Sequence, residues 1–405
     1  MKQEKSKGTG METILQEWIS LFVRWAHIIS AIGWIGSSFY FMWLDSSLKK
    51  RAGLPEGARG DSWSVHGGGF YHVVKYQVAP AQMPDALKWF KWESYMTWLT
   101  GFTMMFATYY WSASGLLIDR DVLNMNEGQA IAASMASLAI AWIFYDRLCK
   151  SFLKKWPVAV MAVLFMAIVA ASWGFQHVFS ARAAWLHTGA IIATMMTGNV
   201  FFVIIPNSKI LVADLMAGRT PKAEFGEIAK LRSTHNNYLT LPVILMMISN
   251  HYPMTYSHPY AWVMVAMVLV IGAAVRIFYN RHEAGMHGFA VQWQWPLVAV
   301  MSVGLVAFSM WRPDQKQVDF DPVVAMEIVN NRCVSCHSAT PTSDMFDEAA
   351  AGIAFDNLEQ IRAHASKMVA QAVLSNTMPL GNITEMTDEE RVIMGSWLRA
   401  GAPSE

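Results

Sequence analysis

Cys333 and Cys336, two of the three cysteines in the chain, are separated by two residues and followed at once by His337, in the run NNRCVSCHSA. Two thiols on one helical turn can each form a thioether to the edge of a porphyrin while the neighbouring imidazole reaches its iron. Cys-x-x-Cys-His is the attachment signature of a c-type haem. A zinc knuckle would want a second pair of ligands, and the tail's only other histidine is His364. A redox dithiol of thioredoxin type would want a strand before it, where VVAMEIVNNR reads as an amphipathic helix. Further on, SNTMPLGN sets Met378 before Pro379 in a loop, a setting that Met345, Met368, Met386 and Met394 lack. A thioether opposite a histidine is the axial pair that raises a cytochrome's potential, so His337 and Met378 are the expected iron ligands.

The elements that must carry this group are of two kinds. Of 405 residues 54% are hydrophobic and 15% charged, against about 25% charged in a soluble domain, which points to a membrane protein. A net charge of +1 offers no broad field and excludes nucleic acid as a partner. Cys149, beside Lys150, is the one cysteine outside the motif, so no disulfide framework is expected. Apolar runs of the length that crosses a bilayer, about 20 residues, fall near 17–44, 96–118, 129–148, 157–176, 183–205, 237–252, 260–279 and 295–311. The sixth is short and interrupted by Pro242. Runs such as PVAVMAVLFMAIVAASWGF have no polar face to offer water. The first ten residues are polar and lack the apolar core of a signal peptide, and Met11 is an alternative start.

From Asp319 onward charge returns. TDEERVIMGSWLRAG reads as a last helix with Thr387 as N-cap, acids in its first turn and Gly401 as its stop. The expected fold is all-α: an N-terminal tail over 1–16, an eight-helix transmembrane bundle over 17–312 with a long cytoplasmic loop at 45–95, and a class I cytochrome c domain over 319–405. RWAHIISAIGWIG in the first span and AAWLHTGAIIATMMTG in the fifth leave open a parallel four-plus-four repeat, with chance likeness as the alternative.

Lys and Arg gather after the odd-numbered spans, as at Lys49, Lys50 and Arg51, at Arg147 and Lys150, and at Lys230 and Arg232. Those loops are therefore cytoplasmic and both termini periplasmic, which agrees with a haem attached outside the cytoplasm. The membrane part has no glycine fingerprint for flavin or nicotinamide, no HExxH and no iron–sulfur cysteines, which leaves a b-type haem on histidines as the remaining redox candidate. His27 and His187 enter spans one and five from the same side to comparable depth and form the expected pair. His177, His251 and His258 are outer-face substitutes, and an ordinary hydrogen bond inside the bundle is the competing reading of each.

On the cytoplasmic side, HGGGFYHVVKYQVAPAQMP reads as a glycine turn followed by strand-like alternation, LKWFKWESYMTWLTG leads into span two, and RSTHNNYLTLP opens span six. His66, His72, Lys75, Glu93, Arg232, His235, Asn236 and Asn237 can thus gather at one membrane face, although each alone also fits a solvated loop or an interfacial anchor. Trp89, Trp92 and Trp98 also fit an aromatic belt. Cations, amides and aromatic faces together suit a flat, anionic, hydrogen-bonding heterocycle.

WAHIISAIGWIGSSFYFMWLD, GGGFYHVVKYQVAP, LKWFKWESYMTWLTG and RSTHNNYLTLPVILMMISNHYP, followed by a CVSCH domain, resemble the membrane-bound bacterial urate oxidases fused to cytochrome c. The resemblance covers essentially the whole chain from Met11. It implies oxidation of urate to 5-hydroxyisourate in purine breakdown at a bacterial inner membrane. Electrons would leave through the c haem to a respiratory acceptor such as a soluble cytochrome c or a cytochrome oxidase. On that reading Arg232 or Lys75 neutralises the urate anion, Asn236 and Asn237 pair with its lactam edges, and Glu93 or His235 takes the proton during hydration. Two other classes stay in view. One is oxidation of a quinol or another small reductant, which makes the cytoplasmic cluster incidental; the other is a non-enzymatic haem or metal carrier with a cytochrome sensor.

Overall fold

The computed structural model describes residues 2–76, 80, 82–311, 317–343 and 345–404, with side chains from Ile14 onward except at 290 and 291. The continuation of the loop motif through Gln77, Val78 and Ala79 and the domain boundary at Arg312 lie outside the described residues. A helix falls on each apolar run: α1 (Lys2–Ser47), α2 (Trp92–Met105), α3 (Glu127–Lys150), α4 (Pro157–Phe175), α5 (Ala181–Gly198), α6 (Ala223–Ile248), α7 (Ala261–Glu283) and α8 (Gln294–Met310). Five stretches are long and apolar enough to cross a membrane: Ile14–Ser47, Glu127–Lys150, Pro157–Phe175, Ala181–Met216 and Ala261–Glu283. α8 is apolar but shorter. Along α1, Ile14, Trp18, Leu21, Phe22, Trp25, Ile28, Ile29 and Ile32 are all exposed, an apolar stripe far larger than a protein leaves in water.

Close approach at small residues holds the helices together, as expected where lipid offers no hydrophobic drive between them. A Cβ on Gly198 would lie 2.3 Å from Trp142, and one on Gly272 would lie 2.6 Å from Pro242. Gly272 of α7 therefore seats the ring of Pro242, and α6 runs unbroken through the proline that the sequence marks as an interruption. Leu164, Ile168, Ile192, Leu239 and Leu269 fill the centre between α4, α5, α6 and α7.

The all-α expectation needs one amendment. After α1 the chain forms a two-stranded antiparallel hairpin, β1 (Ala58–His66) and β2 (Gly69–Tyr76), with His66 opposite Gly69. Gly67 and Gly68, at φ +58 and +79, make the two-residue turn whose left-handed backbone glycine adopts at no steric cost. The strand-like alternation is β2; β1, with Asp61, Ser62 and Ser64 in its middle, has no such pattern to read. Buried Asp61 anchors the hairpin, receiving Trp63 Nε1 at 3.2 Å and Arg51 Nε at 3.1 Å, with His72 Nε2 at 2.9 Å.

The tail from Pro322 has its own core. Ala325 and Val329 of α9 (Pro322–Arg332), Ile361 of α10 (Leu358–Met368), and Met394 and Trp397 of α11 (Asp388–Arg399) are fully buried. Thr387 caps α11 through a reciprocal box with Glu390, as the sequence indicates. Arg332 grips Glu390 with Nε and Nη2, the latter at 2.9 Å. Burial alone would raise the Glu390 carboxyl, but Arg332 and the Thr387 backbone N–H outweigh it and hold it below its ordinary range. The tail docks on the turn after α2: Asn382 Nδ2 donates to Asp121 Oδ2 at 2.6 Å, and a Cβ on Gly381 would lie 2.4 Å from the Ser114 carbonyl.

Candidate functional site

A buried polar network joins α3, α5 and α6. α5 does not end at Gly198; it passes through a π-helical turn, Asn199–Ile204, before continuing from Ile205 to Met216. Such single turns with an extra residue recur at functional sites because they re-aim one side chain. Here the turn begins with Asn199, which is fully buried. Its Nδ2 donates to Tyr145 Oη and to Asn236 Oδ1, each at 2.8 Å, and its Oδ1 accepts from Arg232 Nη1 at 3.1 Å. Arg232 Nη2 reaches Asp146 Oδ1 at 2.8 Å, and Asn236 Nδ2 donates to the Met196 carbonyl at 3.0 Å. Arg232 and Asn236 are thus brought together, with their hydrogen-bonding groups already committed to protein partners.

His235 is set differently. Tyr145 Oη, which accepts from Asn199, lies 2.9 Å from His235 Nδ1 and has its own hydrogen to give. That bond places the imidazole hydrogen on Nε2, where it is a buried donor with no partner among the described residues. Asn237 Nδ2 and Glu93 Oε2 are in the same condition, one a second donor and the other an acceptor. Ser94, beside Glu93, lies 3.5 Å from Thr197 of α5, two residues before Asn199, which ties the start of α2 to the network. An unpartnered buried polar atom costs about 1–3 kcal/mol; His235 and Asn237, two apart on α6, face opposite sides of that helix, His235 toward Tyr145 of α3 and Asn237 toward Arg276 of α7. His235, with its acceptor nitrogen bound to Tyr145, is arranged to donate; Glu93 is the group arranged to accept a proton.

Arg276 is the residue that the sequence reading passes over. It is 5% exposed, donates through Nε to Asn237 Oδ1 at 3.0 Å and through Nη2 to Asn280 Oδ1 at 3.2 Å, and lies 4.4 Å from the Phe39 ring centre. Among the described residues no carboxylate forms a salt bridge with it, whereas Arg232 is paired with Asp146. The signal was present: an arginine inside the apolar run of the seventh span is a functional candidate by its position alone.

Other expected members stand apart. Lys75, half-buried on β2, pairs with Asp45 at the end of α1; His72 is bound to Asp61; His66 is exposed at the hairpin turn. His27 and His187 do not face one cavity. His187 is fully buried, with Nε2 2.5 Å from Ser134 Oγ and Nδ1 2.7 Å from the Ala183 carbonyl, so both ring nitrogens are used. His27 instead lines an open cavity together with His251.

In the tail, Cys333 and Cys336 are free thiols on the turn that follows α9. Cys333 and Met378 both pack against the tail's core, and burial pushes the Cys333 thiol up to about 12 against the pull of Arg391. His337 Nδ1 lies 2.9 Å from the Ile353 carbonyl, which fixes the ring and leaves Nε2 as its available donor atom. Arg391, 3% exposed, donates to the Met378 carbonyl at 2.7 Å. Two thiols, an oriented imidazole and a thioether on one small core match the donor set of a covalently held haem. Among the described residues no group of three or more His, Cys, Asp or Glu gathers as it would for a metal ion.

Long apolar helices around a buried network of amides, an imidazole and two arginines define a mostly helical protein with a polar site built into its bundle. Residues 13–311, most of the chain, match the urate oxidase N-terminal family, and the protein belongs to that family. Membership ties it to urate-related oxidoreductase chemistry. No curated relative and no solved structure matches the chain.

Proposed function

We propose that the protein spans a bacterial inner membrane eight times with both termini periplasmic and oxidises urate to 5-hydroxyisourate, passing the electrons to a c haem on its tail. The observation that carries this reading is Arg276, buried and without a salt bridge among the described residues, beside Asn237, whose Nδ2 is a buried donor without a partner among them. Urate is flat and anionic and presents carbonyl acceptors and N–H donors on its edges. A donor and a cation suit a carbonyl and the charge, and a carboxylate such as Glu93 suits an N–H.

The reaction balances as urate and water giving 5-hydroxyisourate, two protons and two electrons. Arg276 holds the anion. Asn237, beside it, donates to a lactam oxygen, and Glu93 takes the proton as water adds. Arg232, locked to Asp146 and Asn199, positions Asn236 rather than meeting the substrate. Cys333 and Cys336 would hold the haem covalently and His337 and Met378 would be its iron ligands, and the group would supply a one-electron carrier toward a respiratory acceptor such as a soluble cytochrome c or a cytochrome oxidase. Anaerobic addition of urate to purified oxidised protein tests the reading: the c-haem bands should shift to the reduced form as the urate absorbance falls. Reduction by a quinol and not by urate would assign the chain to quinol oxidation. No reduction by either would leave a carrier.

A further inference from the structure

Between α1, α2, α5 and the C-terminal end of α6 lies a cavity of about 530 Å³. Its walls are largely apolar, with Trp34, Phe102 and Leu186 among them, so it suits a broad hydrophobic guest. His27 is part of the wall. Its Nδ1 is 3.0 Å from the Thr97 carbonyl and therefore carries the ring hydrogen, which leaves the Nε2 lone pair without a partner among the described residues. Metal-ligating histidines are oriented in this way by a carbonyl on their other nitrogen. Gly101 makes the seat: a Cβ there would lie 2.8 Å from His27 Cε1, so a side chain would push the imidazole out of position.

Two further features narrow the guest. The Thr108 hydroxyl, presented by the π-helical turn Phe106–Tyr110, lines the same cavity and is buried without a partner among the described residues. Arg24 lines it as well, is exposed, and forms no salt bridge among the described residues. A guest that is apolar over most of its surface, takes an imidazole nitrogen and carries an anionic edge for an arginine is an iron porphyrin.

We infer that this cavity holds a b-type haem, with His27 Nε2 as an axial ligand and Arg24 against the propionates. Met104, Met247 and His251 share the walls and offer donors for the sixth position, whereas His187 is spent on Ser134 and Ala183. The site rests on the cavity; its use rests on the urate reading. There, two electrons leave one substrate molecule, and a ferric b haem and a ferric c haem take one each.

The test is the haem content of the full-length protein purified in detergent, read as pyridine haemochrome spectra. The wild type should hold b and c haem in equal amounts. His27→Ala should lose the b haem and keep the c haem, which also reports that the chain has been inserted and folded. Gly101→Val, which keeps the ligand but displaces its ring, should lose the b haem too and decides the matter if His27→Ala fails to accumulate. His187→Ala should keep it. A wild type with c haem alone, with or without an extractable isoprenoid quinone, would overturn the inference, as would a His27→Ala protein with full b haem. None of these readings uses urate, so their failure leaves the urate oxidation to stand or fall on c-haem reduction.

Discussion

Replacing Arg276 by Gln separates a substrate-holding cation from a structural one. In the folded protein the guanidinium bonds two amide oxygens, Asn237 Oδ1 at 3.0 Å and Asn280 Oδ1 at 3.2 Å, and forms no salt bridge among the described residues, Glu283 acting on it only from a distance. Gln can still donate to one amide oxygen, so the loss inside the protein is about one interhelical bond, worth roughly 0.6 kcal/mol in a helical membrane protein, together with a cation–π contact over Phe39 worth about 0.5–2 kcal/mol. Removing a buried charge offsets part of that. The loss toward an anionic substrate is larger, since a buried hydrogen bond to a charged group contributes about 1.5–3 kcal/mol. That range raises KM for urate about tenfold to hundredfold, at 1.4 kcal/mol per factor of ten. kcat should change little, because Arg276 moves no proton, and Arg276→Lys should recover part of the loss. Initial rates of c-haem reduction over a range of urate concentrations give both constants, and a thermal melt gives stability. An unchanged KM together with a lowered melting temperature would show that Arg276 only braces α6 against α7.

Cys333→Ala or Cys336→Ala should leave the membrane part inserted but without covalent haem, and membranes of either variant should stop consuming urate, as measured by the fall in urate absorbance. Met378→Ala should keep haem attached, since both thioethers remain, but lower its potential in a redox titration. The tail should lose stability in acid through Glu390. Its carboxyl is depressed in the folded state, so its contribution is complete above the unfolded value of about 4.3 and fades as the pH falls through the lower folded value. Melting temperatures followed by near-ultraviolet circular dichroism should drop over that window, and Glu390→Gln should flatten the drop.

Length and apolarity placed every long helix, because a run with no polar face has few alternatives to a helix in a bundle. The caps of α11 were legible for a local reason, since Thr387 and Glu390 act within one turn. What escaped the sequence depends on which helix lies beside which. Arg232 and Lys75 look alike as loop cations, yet one is closed by Asp146 of α3 and the other by Asp45 at the end of α1. Arg276, Tyr145 and Asn199 sit in apolar runs where periodicity gives no weight to a lone polar residue, and the π-helical turn that begins at Asn199 has no sequence signature. His27 and His187 share depth and a local motif, but Thr97 and Gly101 cross one while Ser134 crosses the other. Of the expected site, Asn236 and His235 stand in one network, His235 with a donor's role where a base was an equal expectation, while Asn237 turns to Arg276 of α7.

The docking of the tail has a consequence for motion. It rests on the bond from Asn382 to Asp121 and on the contact of Gly381 with Ser114, with Met345 and Leu380 against Gly115. The tail is not separate: only a short connector runs from Met310 to Pro322. A short tether sets an effective concentration on the order of millimolar, so the tail meets its seat far more often than a free domain at cellular concentrations would. The tail thus needs no strong grip to find its seat, because the covalent connection keeps it within reach as no separate carrier would be.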